Sequence, residues 1–423
     1  MKLVERHIIT EKKSYFNSLV DLCVKSTNLY NYATFCQRQH YFRLNNQNYT
    51  KDIFLESESN YLSYYEINRK FKTENQFDYR ELPANIAQEV LKNMDQNWKS
   101  FFKLFRLKSE GKYKEQVNIP GYKKKQSRSL VILNVSTLSK TKSSFKLPKT
   151  DVTINGIRHL DRATQIRIVP KNGYIVLEVI YNKDENEMKE DNKRYLSIDL
   201  GQNNLCACSS NVMKSFLING RPVKSINQYY NKILSLEKSR IKKENNVDYS
   251  NELRRFTMKR NNKIDWYFHN ISKYIVDICK ENDINVIVIG HNKQWKDEIN
   301  LGKKTNQNFV FIPFSRLVNM IQYKAKLEGI NVVLQEESYT SKASFIDNDF
   351  IPTYNKENDI DYKFSGKRKK RGLYVSKNGF KINADINGSL NILRKYLNVA
   401  TKNILDVQSN SGLVVSPSIV GFY

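Results

Sequence analysis

The stretch Tyr195-Leu-Ser-Ile-Asp-Leu-Gly-Gln-Asn-Asn-Leu205 constrains this chain more than any other. Arg194 leads into a run of strand character, Asp199 stands near its end, and Gly201 lets the backbone turn sharply. Strands of a parallel sheet are buried on both faces, so a lone carboxylate among Leu196, Ile198 and Leu200 is costly unless something binds it. A hard cation such as Mg2+ is the usual compensation, because it prefers carboxylate oxygen. An aspartate capping a turn is the plainer alternative, and this stretch alone does not choose between them.

Open α/β sheets place their ligands at the carboxyl ends of strands, so other acids at such positions are the natural partners. The apolar run Ile284 to Ile289, ending at Gly290-His291, predicts a buried strand; Asn331 to Leu334 predicts the next, closed by Glu336 and Glu337. A helix is expected between them over Phe311 to Leu327, with Pro313 in its first turn. Asp385 opens a last helix, where Asp385, Ser389 and Ile392 share one face. The order of strands and helices is an α/β plan with a mixed sheet. Three acids gathered around two Mg2+ ions would polarise a phosphodiester, activate a water and stabilise the leaving oxygen. Each acid also has a plain structural role, Asp385 at the positive end of a helix and the two glutamates as turn residues. On residues alone, a metal-dependent phosphodiesterase and a noncatalytic nucleic-acid-binding protein both stand.

Charge narrows the partner. The chain of 423 residues has 70 Lys and Arg against 43 Asp and Glu, a formal net charge of +27 spread along its length. That field favours a polyanion, nucleic acid first. No apolar run approaches the roughly 20 residues of a membrane span, which argues against a membrane partner, and Met1-Lys-Leu-Val-Glu-Arg-His7 has no apolar signal core, so a cytoplasmic location is expected. The five cysteines form no CxxC pair and predict free thiols rather than disulfides or zinc.

Upstream, Lys2 to Thr10 predicts one strand and Glu11 to about Leu107 a helical region. Phe16, Leu19, Val20, Cys23 and Val24 mark one buried helical face; Ile86, Val90, Met94 and Trp98 mark another, starting near Pro83. Tyr and Phe interleave with Lys and Arg here, which suits either an aromatic core or stacking on exposed bases. From Gly111 to Asn182 short alternating runs predict a small barrel or curled sheet. Its entry loop carries Tyr122, Lys123, Lys124, Lys125 and Arg128, candidates for phosphate contact. Asp184 to Lys193 is a charged linker, and Val223 to Ile278 predicts long basic helices.

Taken in order, Ser197-Ile-Asp-Leu-Gly201, Tyr339-Thr-Ser-Lys342 and Asn383-Ala-Asp-Ile-Asn387 resemble the RuvC-like nuclease half of the TnpB family, insertion-sequence-encoded proteins related to compact type V CRISPR effectors. A weaker likeness continues through Leu82-Pro-Ala-Asn-Ile86, Phe101-Phe102 and Pro120-Gly-Tyr-Lys123. The resemblance implies an α+β multidomain chain. A wedge-type β-barrel would take residues 1–10 and 108–183, a helical recognition lobe 11–107, a linker 184–193, an RNase H/RuvC-like α/β nuclease 194–400 and a tail 401–423. It also implies a guide RNA, target double-stranded DNA and Mg2+-dependent cleavage by Asp199, a glutamate and Asp385, with nucleoid association when bound; the number of copies per RNA stays open. A basic channel holding a guide–target heteroduplex agrees with the charge.

Two departures stand out. The family places its glutamate at the end of the fourth strand, where this chain has Gly290. We expect a glutamate from the neighbouring strand to fill that space, Glu337 ahead of Glu336, with His291, Asp347 and Asp349 as weaker candidates. Relatives also often hold the loop after Tyr-Thr-Ser with two CxxC pairs, whereas residues 338–382 contain no cysteine, so no zinc is expected. That loop is expected to be ordered by its own packing or by nucleic acid through Lys367, Arg368, Lys369, Lys370 and Arg371. A decayed nuclease acting as a guide-directed DNA-binding repressor is the alternative, the missing fourth-strand glutamate its symptom.

Overall fold

Helical and strand periodicities alternate along the chain, and helices pack against sheets. The computed structural model describes residues 1–44, 61–245, 250–291, 312–354, 361–398 and 417–422. Two compact units result, Met1–Lys183 and Asp184–Tyr423. The polar loop expected at Asn45–Tyr49 lies outside the described residues.

In the first unit, β1 (Lys2–Ile9) is followed by α1 (Phe16–Leu44), α2 (Tyr64–Thr73), α3 (Phe77–Glu81) and α4 (Ala84–Ser109). Short strands follow: β2 (Val131–Asn134), β3 (Ser144–Lys146), β4 (Thr153–Asn155), β5 (Ala163–Lys171) and β6 (Tyr174–Asn182). Strands β1, β6, β5 and β2 pair antiparallel in that order, and β3 with β4 forms a separate hairpin. Among the described residues these pairings make an open sheet plus a hairpin. On α4, Ile86, Val90, Met94 and Trp98 are all buried, as their spacing requires. Pro83 stands at the N-cap, one position before the expected first turn. Most of the Tyr and Phe singled out for the helical region face inward: Tyr41 meets Trp98 at 5.8 Å and Phe101 at 6.1 Å between ring centroids.

The second unit holds β7 (Tyr195–Leu200), β8 (Asn204–Ser210), β9 (Phe216–Asn219), α5 (Arg221–Asn245), α6 (Asn251–Glu281), β10 (Val286–Gly290), α7 (Phe314–Leu327) and β11 (Asn331–Gln335). Then come β12 (Lys367–Lys370), β13 (Leu373–Val375), β14 (Lys381–Ile382), α8 (Ala384–Leu397) and β15 (Ser418–Val420). The main sheet runs β11-β10-β7-β8-β9-β15. Strands β7, β8 and β9 form an antiparallel meander, while β10 and β11 add in parallel to β7. The segment 184–193 does not hang free: Asn186 N–H donates to Leu327 O at 3.3 Å and Lys189 N–H to Gly329 O at 2.9 Å. Strand β15, from a tail without visible periodicity, pairs with β9.

Alternation along β7 to β10 splits the core in two. Leu196, Ile198, Cys206 and Cys208 face α6 and α7; Tyr195, Ala207 and Val288 face α8. The five cysteines are buried free thiols. Burial lifts the Cys23 thiol to about 12, so it is held protonated.

The described residues of the 338–382 segment are held by amides and carboxylates, with no thiolate in the segment. From α8, Asn387 donates to Ala343 O at 2.8 Å, Asn391 to Thr340 O at 2.9 Å and Arg394 to Asn348 Oδ1 at 3.0 Å. Within the loop, Ser344 Oγ and Lys377 N–H donate to Asp347, and Ser365 Oγ donates to both Asp347 and Asp349. Burial pushes the Asp347 carboxyl up, but these hydrogen bonds outweigh it and hold it below its ordinary value of 3.8. A carboxyl depressed by folding stabilises the loop above that ordinary value and ceases to as pH falls through the folded one. Asp347→Asn is therefore expected to speed amide exchange across 343–349 and 365–377 at pH 6. Wild type and variant should converge as pH falls below the folded value, and equal exchange at pH 6 would show that the clasp contributes nothing.

Candidate functional site

The site is built where β7, β10 and β11 end. Asp199 is the fifth residue of β7, and Gly201 turns the chain because a Cβ there would meet Asn204 O at 2.7 Å. Helix α8 lies directly on β7: Ser389 Oγ donates to Ser197 O at 3.0 Å and its oxygen lies 3.0 Å from Ser197 Oγ. Such proximity depends on Gly388, where a Cβ would stand 2.6 Å from Asp199 Oδ2. Asn383 caps α8 by accepting from Asp385 N–H at 3.0 Å and Ile386 N–H at 3.2 Å, which sets Asp385 in the first turn.

The two glutamates part company. Glu337 lies over Gly290, where a Cβ would collide with its Oε2. Its backbone carbonyl accepts from Thr340 N–H at 3.2 Å and from the Thr340 hydroxyl at 2.8 Å, so the Tyr-Thr-Ser stretch anchors the turn that delivers it. Glu336 is engaged elsewhere, in an ion pair with Lys395 of α8 and accepting from Ser338 N–H at 2.8 Å. Burial pushes the Glu336 carboxyl up, but Lys395 and Ser338 together hold it below the usual range.

Burial pushes Asp199 well above its ordinary value, and the Glu337 and Asp385 carboxylates push it further, with Arg368 acting against them. Asp385 itself accepts from Asn204 Nδ2 at 2.7 Å and from Arg368 at 3.1 Å. The expected three acids thus share one electrostatic neighbourhood. As the side chains stand, no three His, Cys, Asp or Glu groups among the described residues close around a single ion, and Asp385 is paired with Arg368. The all-oxygen donors and the room left by Gly290 and Gly388 suit a hard divalent cation.

The remaining candidates sort by exposure. Asp347 and Asp349 are occupied in the loop clasp, and the backbone N–H of His291 donates to Gln335 O at 2.8 Å, which leaves the role of its ring unassigned. The basic run expected as a loop is instead an exposed strand, Lys367 to Lys370, paired with β13 and followed by exposed Arg371. In the first unit Tyr122, Lys124, Lys125 and Arg128 are exposed. Lys123 is not a free phosphate contact: its ammonium sits 3.9 Å from the Tyr30 ring centroid, donates to Ser129 Oγ at 2.9 Å, and is pushed down by burial. Asn204 and Arg368 as partners of Asp385 left no local signal in sequence, since Asn204 is 181 residues from its acceptor.

Two family models match stretches that lie almost wholly in the second unit. Residues 178–296 match the family OrfB_IS605, described as a probable transposase, and residues 314–392 match the Cas12f1-like TNB domain. A TnpB-like protein, ORF457 of Acidianus two-tailed virus, is 23% identical over 427 residues, spanning 91% of this chain and 84% of that one. Among solved structures, a Cas12f1–sgRNA–target DNA complex aligns over 90% of this chain and 82% of that one, at 13% identity and a TM-score of 0.49. A CRISPR-Cas12f ternary complex covers 89% and 80% at 14% identity with a TM-score of 0.34.

A carboxyl raised by folding costs stability as pH climbs from its ordinary value through the raised one. Asp199→Asn is expected to unfold about 1 kcal/mol harder than wild type in metal-free buffer at pH 7. The gap should close as pH falls toward about 4. A variant no more stable at pH 7 would refute the crowding of charge at Asp199.

Proposed function

Starting from the chain's kinship with the TnpB family, we propose that it is an RNA-guided DNA endonuclease that hydrolyses phosphodiesters at the Asp199–Glu337–Asp385 site. One observation carries the nuclease reading: Asp199 near the end of β7 lies against Gly388 of α8, one turn from Asp385, while Glu337, just past β11, lies over Gly290 at the end of the neighbouring β10. The sheet order, with an antiparallel meander flanked by parallel strands, supports an RNase H/RuvC-like assignment. In the first unit the four-stranded sheet and hairpin would form the wedge-type barrel, and α1 to α4 the recognition lobe.

Asp199, Glu337 and Asp385 would hold Mg2+, which supplies Lewis-acid polarisation of the phosphodiester and an activated water. The chain's other groups place the substrate and steer its charge. Asn204 fixes one oxygen of Asp385. Arg368, half exposed on β12, gains a phosphate partner when a strand arrives, which frees the second oxygen of Asp385 toward Asp199. Lys367, Lys369, Lys370 and Arg371 line the same exposed edge and would grip the backbone of target DNA. Tyr122, Lys124, Lys125 and Arg128 would contact the guide RNA, with Lys123 holding their segment to α1.

The test is a matched plasmid incubated with the protein and its copurified RNA. Cutting in Mg2+ and none in EDTA is expected; binding without cutting would favour the repressor alternative. Glu337→Ala should abolish cutting while Glu336→Ala retains it, and the reverse would overturn the assignment. Arg368→Ala is expected to lower cutting about 10- to 100-fold. Affinity for DNA should fall steeply with salt, and a flat dependence would count against phosphate gripping.

A further inference from the structure

The helical pair α5–α6 holds a cavity that neither the carboxylate site nor the core explains. Its volume is about 480 Å3, within the range of roughly 300–1,000 Å3 common for ligand pockets. Tyr229, Tyr230 and Phe256 supply aromatic surface, and Lys259, Arg260 and Lys263 supply charge, with no acid among the lining residues. Part of this is structural. The Tyr230 hydroxyl lies 3.0 Å from Thr257 Oγ1 and ties α5 to α6. Arg260 donates to Asn227 at 2.8 Å and to Asn261 at 2.9 Å, with its guanidinium 5.6 Å from the Tyr230 ring centroid. That leaves a rigid, cationic floor. Tyr229 is different: 61% exposed, it serves no core, and it stands beside exposed Lys259 and Lys263.

Aromatic faces under a cationic rim are the chemistry that binds a nucleotide, its base by stacking and its phosphate by charge. Position selects which nucleotide. Helix α5 begins just past the end of β9, which runs in the same direction as β7, so the cavity opens at the end of the sheet where Asp199 lies. The β7–β8 turn joins the two places: Asn203 accepts from Lys224 Nζ at 3.2 Å, one residue before the lining Ser225, while Asn204 holds Asp385. A strand lying at the carboxylates and crossing this turn is directed toward the first turns of α5, which carry Ser225 and Tyr229 of the cavity lining. We infer that the α5–α6 cavity takes one unpaired nucleotide of the DNA strand presented to the Asp199 site, and so positions that strand. The inference rests on the nuclease reading above for the identity of the strand, not for the existence of the site.

Binding and cutting are read apart. The protein with its copurified RNA is titrated in EDTA with fluorescent single-stranded DNA, normal or carrying one abasic position at a time. Tyr229→Ala is expected to weaken binding about 5- to 150-fold, and Lys263→Ala to reduce the salt slope by about one. One abasic position should weaken wild type to a similar extent and have no further effect in Tyr229→Ala, the signature of coupling between that base and that ring. Trp266→Ala, which removes a 51% exposed aromatic of α6 outside the cavity, should bind like wild type. Melting curves check that each variant is folded. Wild-type affinity in Tyr229→Ala, equal sensitivity at every abasic position, or coupling seen only with an RNA oligonucleotide would overturn the inference. Addition of Mg2+ then separates the two readings. Coupling without cutting keeps the cavity and sinks the nuclease, whereas cutting without coupling does the opposite.

Discussion

The second unit depends on how closely α8 can approach β7. Two serines, Ser197 and Ser389, bond across the contact, and Gly388 leaves the Asp199 carboxylate room against the helix. Without that approach Asp385 in the first turn of α8 would not reach the electrostatic neighbourhood of Asp199. With it, two carboxylates press on a third that burial already disfavours as an anion. Structures tolerate such crowding where a cation or a positively charged side chain compensates. Here Arg368 gives that compensation from a strand whose other residues are also basic.

The loop that carries Arg368 is held by the same helix. Asn387, Asn391 and Arg394 reach from successive turns of α8 to backbone and side-chain oxygens of residues 340 to 349. Serines and aspartates complete the clasp, so the loop's order is made of many modest hydrogen bonds rather than a few metal–thiolate bonds. One helix therefore sets the position of an acid, of the backbone that presents Glu337, and of the basic strand above both.

Much of this was legible in the chain. Strong periodicities located the helices and most strands to within a few residues, because burying a face of a helix or strand repeats a simple interval. The hairpin strand Thr153–Asn155 and the tail strand Ser418–Val420 were not singled out, since each is only three residues long and is fixed by its pairing partner. Aromatic residues among lysines in the helical region read equally as core or as base-stacking surface. Among the described residues, packing placed many of them inside and left Tyr65, Phe77 and Phe105 out.

By itself the sequence determined that Asp199 and Asp385 each stand at an element's end and that the chain carries a large positive charge. Those facts follow from local pattern and from counting. Only the tertiary structure separates Glu336, paired with Lys395, from Glu337, which lies over Gly290. At the end of a strand, parity no longer assigns a face, and the deciding groups are Lys395, 59 residues further on, and Gly290, on the neighbouring strand. The same holds for Lys123. In sequence it is one of a basic run, but the Tyr30 ring that receives its ammonium lies on α1, brought near by folding. Local sequence names the charges; long-range packing determines which of them face a partner and which are used inside the protein.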